Sequence, residues 1–243
     1  MRDAAVGFQC PSCVVEGRKS VRQPRTMAGG AISANAGGVS FTLIAINVAV
    51  FLLQLATDER LTVDARMETV GVANGEYWRL LTGEFLHANP LHLGLNMFAL
   101  YLFGPAAERA LGTARFIASY LTMAVAASTF VYVFSGAPTV GASGAIFGLF
   151  GLVFVLLLKA GQDVRGLLVL LVINGFISLQ ANISWQAHLG GFVTGLLLGA
   201  VFAYAPRASR TLWQTAAFVG IWLAIVFLVS LQTSALNSGI TLV

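Results

Sequence analysis

The chain has 243 residues, of which 57% are apolar and 10% charged, and a mean hydropathy of +0.82. Soluble domains carry about 25% charged residues, so an ordinary water-soluble globular protein is excluded. The formal net charge of +4 does not point to nucleic acid either. The basic residues stand in short clusters between apolar stretches, where they orient a membrane protein and build no groove for phosphates.

In chain order, residues 1–38 are polar, basic and rich in Gly, Ser and Ala, and they read as a flexible tail. Cys10 and Cys13 form a C-P-S-C pair within it. A structural zinc site takes four ligands, and the chain has no other Cys, so an exposed thiol pair is expected rather than a metal site. The first apolar run starts far from Met1 and is long enough to span, so no cleavable signal peptide is expected. Spans are expected over residues 41–57, 91–107, 116–134, 143–158, 166–180, 186–204 and 212–231. No Asp, Glu, Lys or Arg lies between Arg25 and Asp58, Arg115 and Lys159, Arg165 and Arg207, or after Arg210. A helix needs about 20 apolar residues to cross the hydrocarbon, and the two longest inner gaps each hold two crossings joined by a turn. Residues 58–90 carry six of the ten acidic residues, with Tyr77 and Trp78 interleaved, and are read as a structured interfacial loop. The expected fold class is therefore all-α, a polytopic helical bundle of seven spans.

Lys and Arg alternate along this layout. Five precede the first span, and two follow each of the second, fourth and sixth, against three in the loop after the first. The positive-inside rule then puts the N-terminus in the cytoplasm and the C-terminus outside. The starts of the fourth and sixth spans fall together on the outer side.

Polar side chains within spans are costly and mark function by default. Here they converge in depth. His92 and Asn96 share one face near the outer end of the second span. Ser143 opens the fourth span in Gly141-Ala142-Ser143-Gly144, and His188 lies near the outer start of the sixth. A helix N-terminus offers free N–H groups to an oxyanion formed beside Ser143. Gly144, Gly148 and Gly151 line one side of the fourth span, and Gly191, Gly195 and Gly199 one side of the sixth. Small residues at this spacing permit close backbone approach in membranes, close enough for His188 to take the Ser143 proton.

These features resemble the rhomboid intramembrane serine proteases: Trp78-Arg79, His87-x4-His92-x3-Asn96, Gly141-Ala142-Ser143-Gly144, and Ala187-His188-x2-Gly191-x3-Gly195, in order across residues 40–205. The resemblance implies a six-helix catalytic core over residues 39–205, followed by a loop and a seventh transmembrane helix over 206–243. It implies Ser143 as nucleophile and His188 as general base without a third carboxylate. His92, Asn96 and the Ser143 backbone N–H would form the oxyanion hole, with Gly141, Gly144, Gly191 and Gly195 supporting the site. Many relatives carry Tyr four residues after the serine. Here it is Phe147, which stacks but cannot hydrogen-bond, so the His188 tautomer must be fixed otherwise. Trp78 and Arg79 would anchor the first loop, and Glu108-Arg109 would tie the second and third spans. His87 is expected to stabilise the loop. The implied activity is cleavage of single-pass transmembrane substrates in the plasma membrane, without cofactor or metal, from a site opening to the extracytoplasmic side.

Two other classes fit parts of the pattern. A pseudoenzyme of this family would bind transmembrane clients without cutting, but such relatives lack the serine or the histidine. A proton-coupled transporter also uses buried His and broken helices, yet the spans hold no carboxylate at that depth and the chain shows no internal repeat.

Overall fold

The computed structural model describes residues 2–3, 7–20, 25–32, 37–180 and 183–239. A two-residue pairing of β1 (Arg2–Asp3) with β2 (Phe8–Gln9) and helix α1 (Pro11–Ser20) precede the bundle. The first long helix is α2 (Gly38–Ala56). The loop after it folds into the short helices α3 (Arg60–Ala65), α4 (Thr69–Ala73) and α5 (Arg79–Thr82), closed by a single 3-10 turn at Gly83–Phe85. Then follow α6 (Pro90–Leu111), α7 (Thr113–Phe134), α8 (Ser143–Lys159), α9 (Arg165–Ser178), α10 (Trp185–Tyr204) and α11 (Arg210–Asn237). The helical class and the polytopic bundle are as the sequence leads one to expect. Four helices, α2, α7, α10 and α11, are long and apolar enough to cross a bilayer, while α8 and α9 are shorter apolar helices.

The centre of the bundle is built on missing side chains. α10 packs most extensively on α8 and next on α7. A Cβ on Gly191 would overlap the carbonyl oxygen of Gly144, and one on Gly195 that of Gly148. The α8 glycines also face α7, where a Cβ on Gly148 would lie 2.8 Å from the Met123 Cβ. α8 is thus pressed between two helices, and its glycines serve both contacts. α9 packs only lightly against α8 and α10.

Four local readings change in the structure. Glu108 does more than tie the second span to the third, where it accepts from the Thr113 hydroxyl at 3.5 Å. It also accepts from the backbone N–H groups of Val39 and Ser40 and from the Ser40 hydroxyl, so it caps the first span, while Arg109 is exposed. Asp or Glu at a helix N-terminus satisfies orphan donors and meets the positive end of the dipole, a pairing across 68 residues that spacing along the chain does not reveal. Trp78 is 56% exposed, and of the two it is the Arg79 side chain that bonds within the loop, donating to the carbonyls of Val63 and Arg66 and pairing with Glu76. Finally, not all of the 1–38 tail is loose. Ala28 is fully buried, its N–H bonded to the Ala110 carbonyl and its own carbonyl to Gln214. Residues 1, 4–6, 21–24 and 33–36 of that tail lie outside the described residues. Cys10 and Cys13, read as free thiols, are joined as a disulfide.

Candidate active site

The loop before α8 is held from below. Met67 and Thr139 exchange backbone hydrogen bonds, and Gly141 N–H donates to Gly83 O at 2.9 Å. Gly141 has φ +126, and a Cβ there would lie 2.5 Å from the His92 ring. Both the backbone conformation and the close approach of the imidazole call for glycine. One residue after the turn, Ser143 starts α8, leaving its backbone N–H among the orphan donors of that helix end.

Both histidine helices are capped at the end that carries the histidine. Asn89 caps α6, accepting from His92 N–H at 2.9 Å, with Pro90 at the first helical position. Ser184 caps α10 by accepting from Ala187 N–H. His92 and Asn96 therefore lie one turn apart on α6, with Asn96 Nδ2 donating to His92 O at 3.1 Å. His92, Asn96, Ser143, Phe147, Ser178 and His188 all line one cavity of about 570 Å³.

Within it His188 Nε2 lies 2.9 Å from Ser143 Oγ. The Phe147 ring stacks on the imidazole at 4.0 Å between centroids and 5° between planes. The second ring nitrogen meets a residue that the sequence did not single out. Ser178, at the end of α9 and buried, has its Oγ 2.5 Å from His188 Nδ1. The same hydroxyl donates to Asn174 O at 2.6 Å, which commits its proton. With the hydroxyl donating there, it accepts from Nδ1–H, and the Nε2 lone pair faces Ser143. A neutral hydroxyl thus stands where a carboxylate stands beside the histidine of a Ser-His-Asp triad. No motif announces this role, because a serine in a helix that bonds back to a carbonyl is the commonplace case.

Glu84 also escaped notice. It sits in the 58–90 loop, yet it is buried, accepts from Ser128 Oγ at 3.0 Å, and packs under Gly144. Burial lifts its pKa from 4.5 to about 8, against the lowering effect of the hydrogen bonds from Ser128 and the Ala145 backbone. Between pH 4.5 and about 8 the folded protein holds this proton and the unfolded chain releases it, so stability falls as pH rises through that window and then levels off. Glu84→Gln keeps the shape and removes the titration. The variant is expected to show a flatter dependence of melting temperature on pH between 5 and 9 than the parent protein. Equal slopes would remove Glu84 from this account. His87, beside it in the loop, is buried, and its backbone is clamped by Gln54 of α2. Desolvation, and secondarily His92, hold its imidazole down to about 4, so it stays neutral and serves packing.

Comparison with known proteins matches residues 74–205 to the Rhomboid domain. The chain is 34% identical over 212 residues to Rhomboid protease GluP of Bacillus subtilis (strain 168), an alignment covering 83% of this chain and 40% of that protein. It is 43% identical over 139 residues to YdcA of the same organism, covering 53% and 69%. To Rhomboid protease AarA of Providencia stuartii it is 27% identical over 224 residues, covering 73% and 77%.

Proposed function

The chain belongs to the rhomboid family, and from that premise we propose that it is an intramembrane serine endopeptidase that cuts transmembrane segments with Ser143 and His188. The observation that carries this reading is the 2.9 Å approach of Ser143 Oγ to an imidazole whose other nitrogen is already committed to Ser178. The mechanism follows the serine-hydrolase template. A single-pass substrate helix enters between helices and unwinds near a weak point, because a helical peptide carbonyl is already bonded and shielded. Ser143 attacks that carbonyl while His188 takes the hydroxyl proton. The oxyanion is met by the Ser143 backbone N–H, His92 and Asn96. His188 then protonates the leaving amine, and water hydrolyses the acyl-enzyme.

Two features of the bundle support this route. An apolar cleft of about 280 Å³ between α9 and α10, lined by Leu171, Gly175, Leu179 and Trp185, reaches His188 from the side. α8, with 17 residues, is about 25 Å long, shorter than the roughly 30 Å of hydrocarbon. Ser143 at its end is therefore within reach of water. By the distribution of Lys and Arg, that end faces the extracytoplasmic side of the plasma membrane, with the N-terminus in the cytoplasm and seven crossings in all.

Reconstitution tests the reading. Proteoliposomes containing the protein and a fluorescently tagged single-pass helix with a Gly/Pro-weakened segment near the outer boundary should release a tagged fragment. A protein that retains such helices without cutting any of them would instead be a client-binding pseudoenzyme. The positioning of His188 gives a finer result. Ser178→Ala should lower kcat about tenfold, the loss of one buried hydrogen bond, with KM unchanged, and Ser178→Thr should restore most of it. An unaltered kcat in Ser178→Ala would leave the tautomer to some other group.

A further inference from the structure

At the end of α8 opposite Ser143 lies a cavity of about 1130 Å³ that the proposed proteolysis does not use. Its walls come from five separate stretches: the docked segment around Arg25, the start of α7, the end of α8, the loop after α10 and the start of α11. Each stretch brings one cation, namely Arg25, Arg115, Lys159, Arg207 and Arg210, and the lining contains no carboxylate. Among the described residues the two ion pairs both lie in the 58–90 loop, far along the chain from these groups.

The partners of Arg25, Arg115 and Lys159 carry no compensating charge. Arg25 donates to the Gly29 carbonyl at 3.1 Å and Arg115 to the Gln214 amide oxygen at 2.8 Å. Lys159 sits 4.6 Å from the centre of the Tyr204 ring. Arg210 presses on Gly29, and its Nε is buried with no hydrogen-bond partner. The first turn of α11 adds free N–H groups, since Ser209 supplies no side-chain cap. Orientation by the positive-inside rule explains why cations stand at this end of the bundle. It does not explain why five of them converge on one walled space, or why a guanidinium nitrogen is buried there unpaired. Both cost free energy unless an anion enters.

We propose that this cavity binds a phosphate-bearing anion, the headgroup of an anionic phospholipid from the adjoining leaflet. Guanidinium forks suit phosphate oxygens, and basic pockets at the ends of membrane helices recognise such headgroups. Every wall is a helix end or a connecting loop, so the cavity sits at headgroup depth. A headgroup held there joins the docked tail segment to α7, α8 and α11.

The test uses the full chain in neutral detergent, titrated with dioleoyl phosphatidylglycerol, with dioleoyl phosphatidylcholine, or with inorganic phosphate at matched ionic strength. Melting temperature is followed together with native mass spectrometry. Phosphatidylglycerol should raise the melting temperature saturably and leave one retained lipid, and phosphatidylcholine should do neither. Arg115→Gln with Arg210→Gln should weaken the apparent Kd at least tenfold. Lys159→Gln with Arg207→Gln, two exposed positions whose loss leaves the fold intact, should weaken it in the same direction. The same saturable shift with inorganic phosphate alone would keep the anion site and overturn the lipid as its source. Equal responses to both lipids, or responses unchanged in both double variants, would overturn the site.

Discussion

Replacing Ser143 by alanine should lower turnover about 10⁶-fold, the scale on which a serine hydrolase loses its nucleophile, while the melting temperature stays within a degree or two. The contrast follows from where the hydroxyl sits. It lines the cavity, half-buried, and its one side-chain hydrogen bond is to His188. Its structural contribution is then about 1 kcal/mol or less. His188→Ala should be as damaging to turnover as Ser143→Ala, and the double variant no worse than either alone, because the two groups act as one unit. Substrate helices should still associate with the Ser143→Ala protein. An additive double variant would mean that the two residues work separately, and the proposed dyad would fail.

The second large effect is expected at Gly195. A Cβ there would overlap the Gly148 carbonyl oxygen, which is backbone and cannot swing aside. Even Gly195→Ala must therefore push α10 away from α8. Overpacking of this kind costs about 1–3 kcal/mol. The functional loss should be larger than the structural one. α8 carries Ser143 and α10 carries His188, and a displacement of roughly 1 Å between reacting groups costs about 10²-fold. Gly195→Ala is therefore expected to fold with a lowered melting temperature and to retain less than about 1% of parent turnover. Gly220 on α11 provides the control, since a Cβ there meets nothing within 4 Å. Gly220→Ala should be neutral or slightly stabilising, by the helix preference of Ala over Gly. If the two alanine variants behave alike, close helix approach is not what aligns the site.

The contrast between these glycines shows what the sequence could tell. The apolar helices were legible because a charge-free apolar run has few ways to exist in water. The pairing of α8 with α10 was legible because glycines three or four residues apart on two helices leave two flat faces. Ser143, His188, His92 and Asn96 stood out by depth, as polar groups in segments that otherwise exclude them. Ser178 did not, since nothing local separates a serine that merely bonds back to its own helix from one that also accepts from an imidazole. Glu84, and the capping role of Glu108, were hidden for the opposite reason. Each stands where a charge is unremarkable, in a loop and at a helix end, and acquires its role from a partner more than 40 residues away, Ser128 in one case and Ser40 in the other. The basic cavity needed the fold as well, because its five cations are spread from Arg25 to Arg210.

The proposed activation of Ser143 can be tested without a known substrate, by exposing the bilayer-reconstituted protein to a fluorophosphonate and locating the adduct by peptide mass spectrometry. One adduct is expected, on Ser143, lost when His188 is replaced by alanine even though Ser143 remains. An unlabelled parent protein, or labelling of Ser143 that persists undiminished without His188, would contradict it.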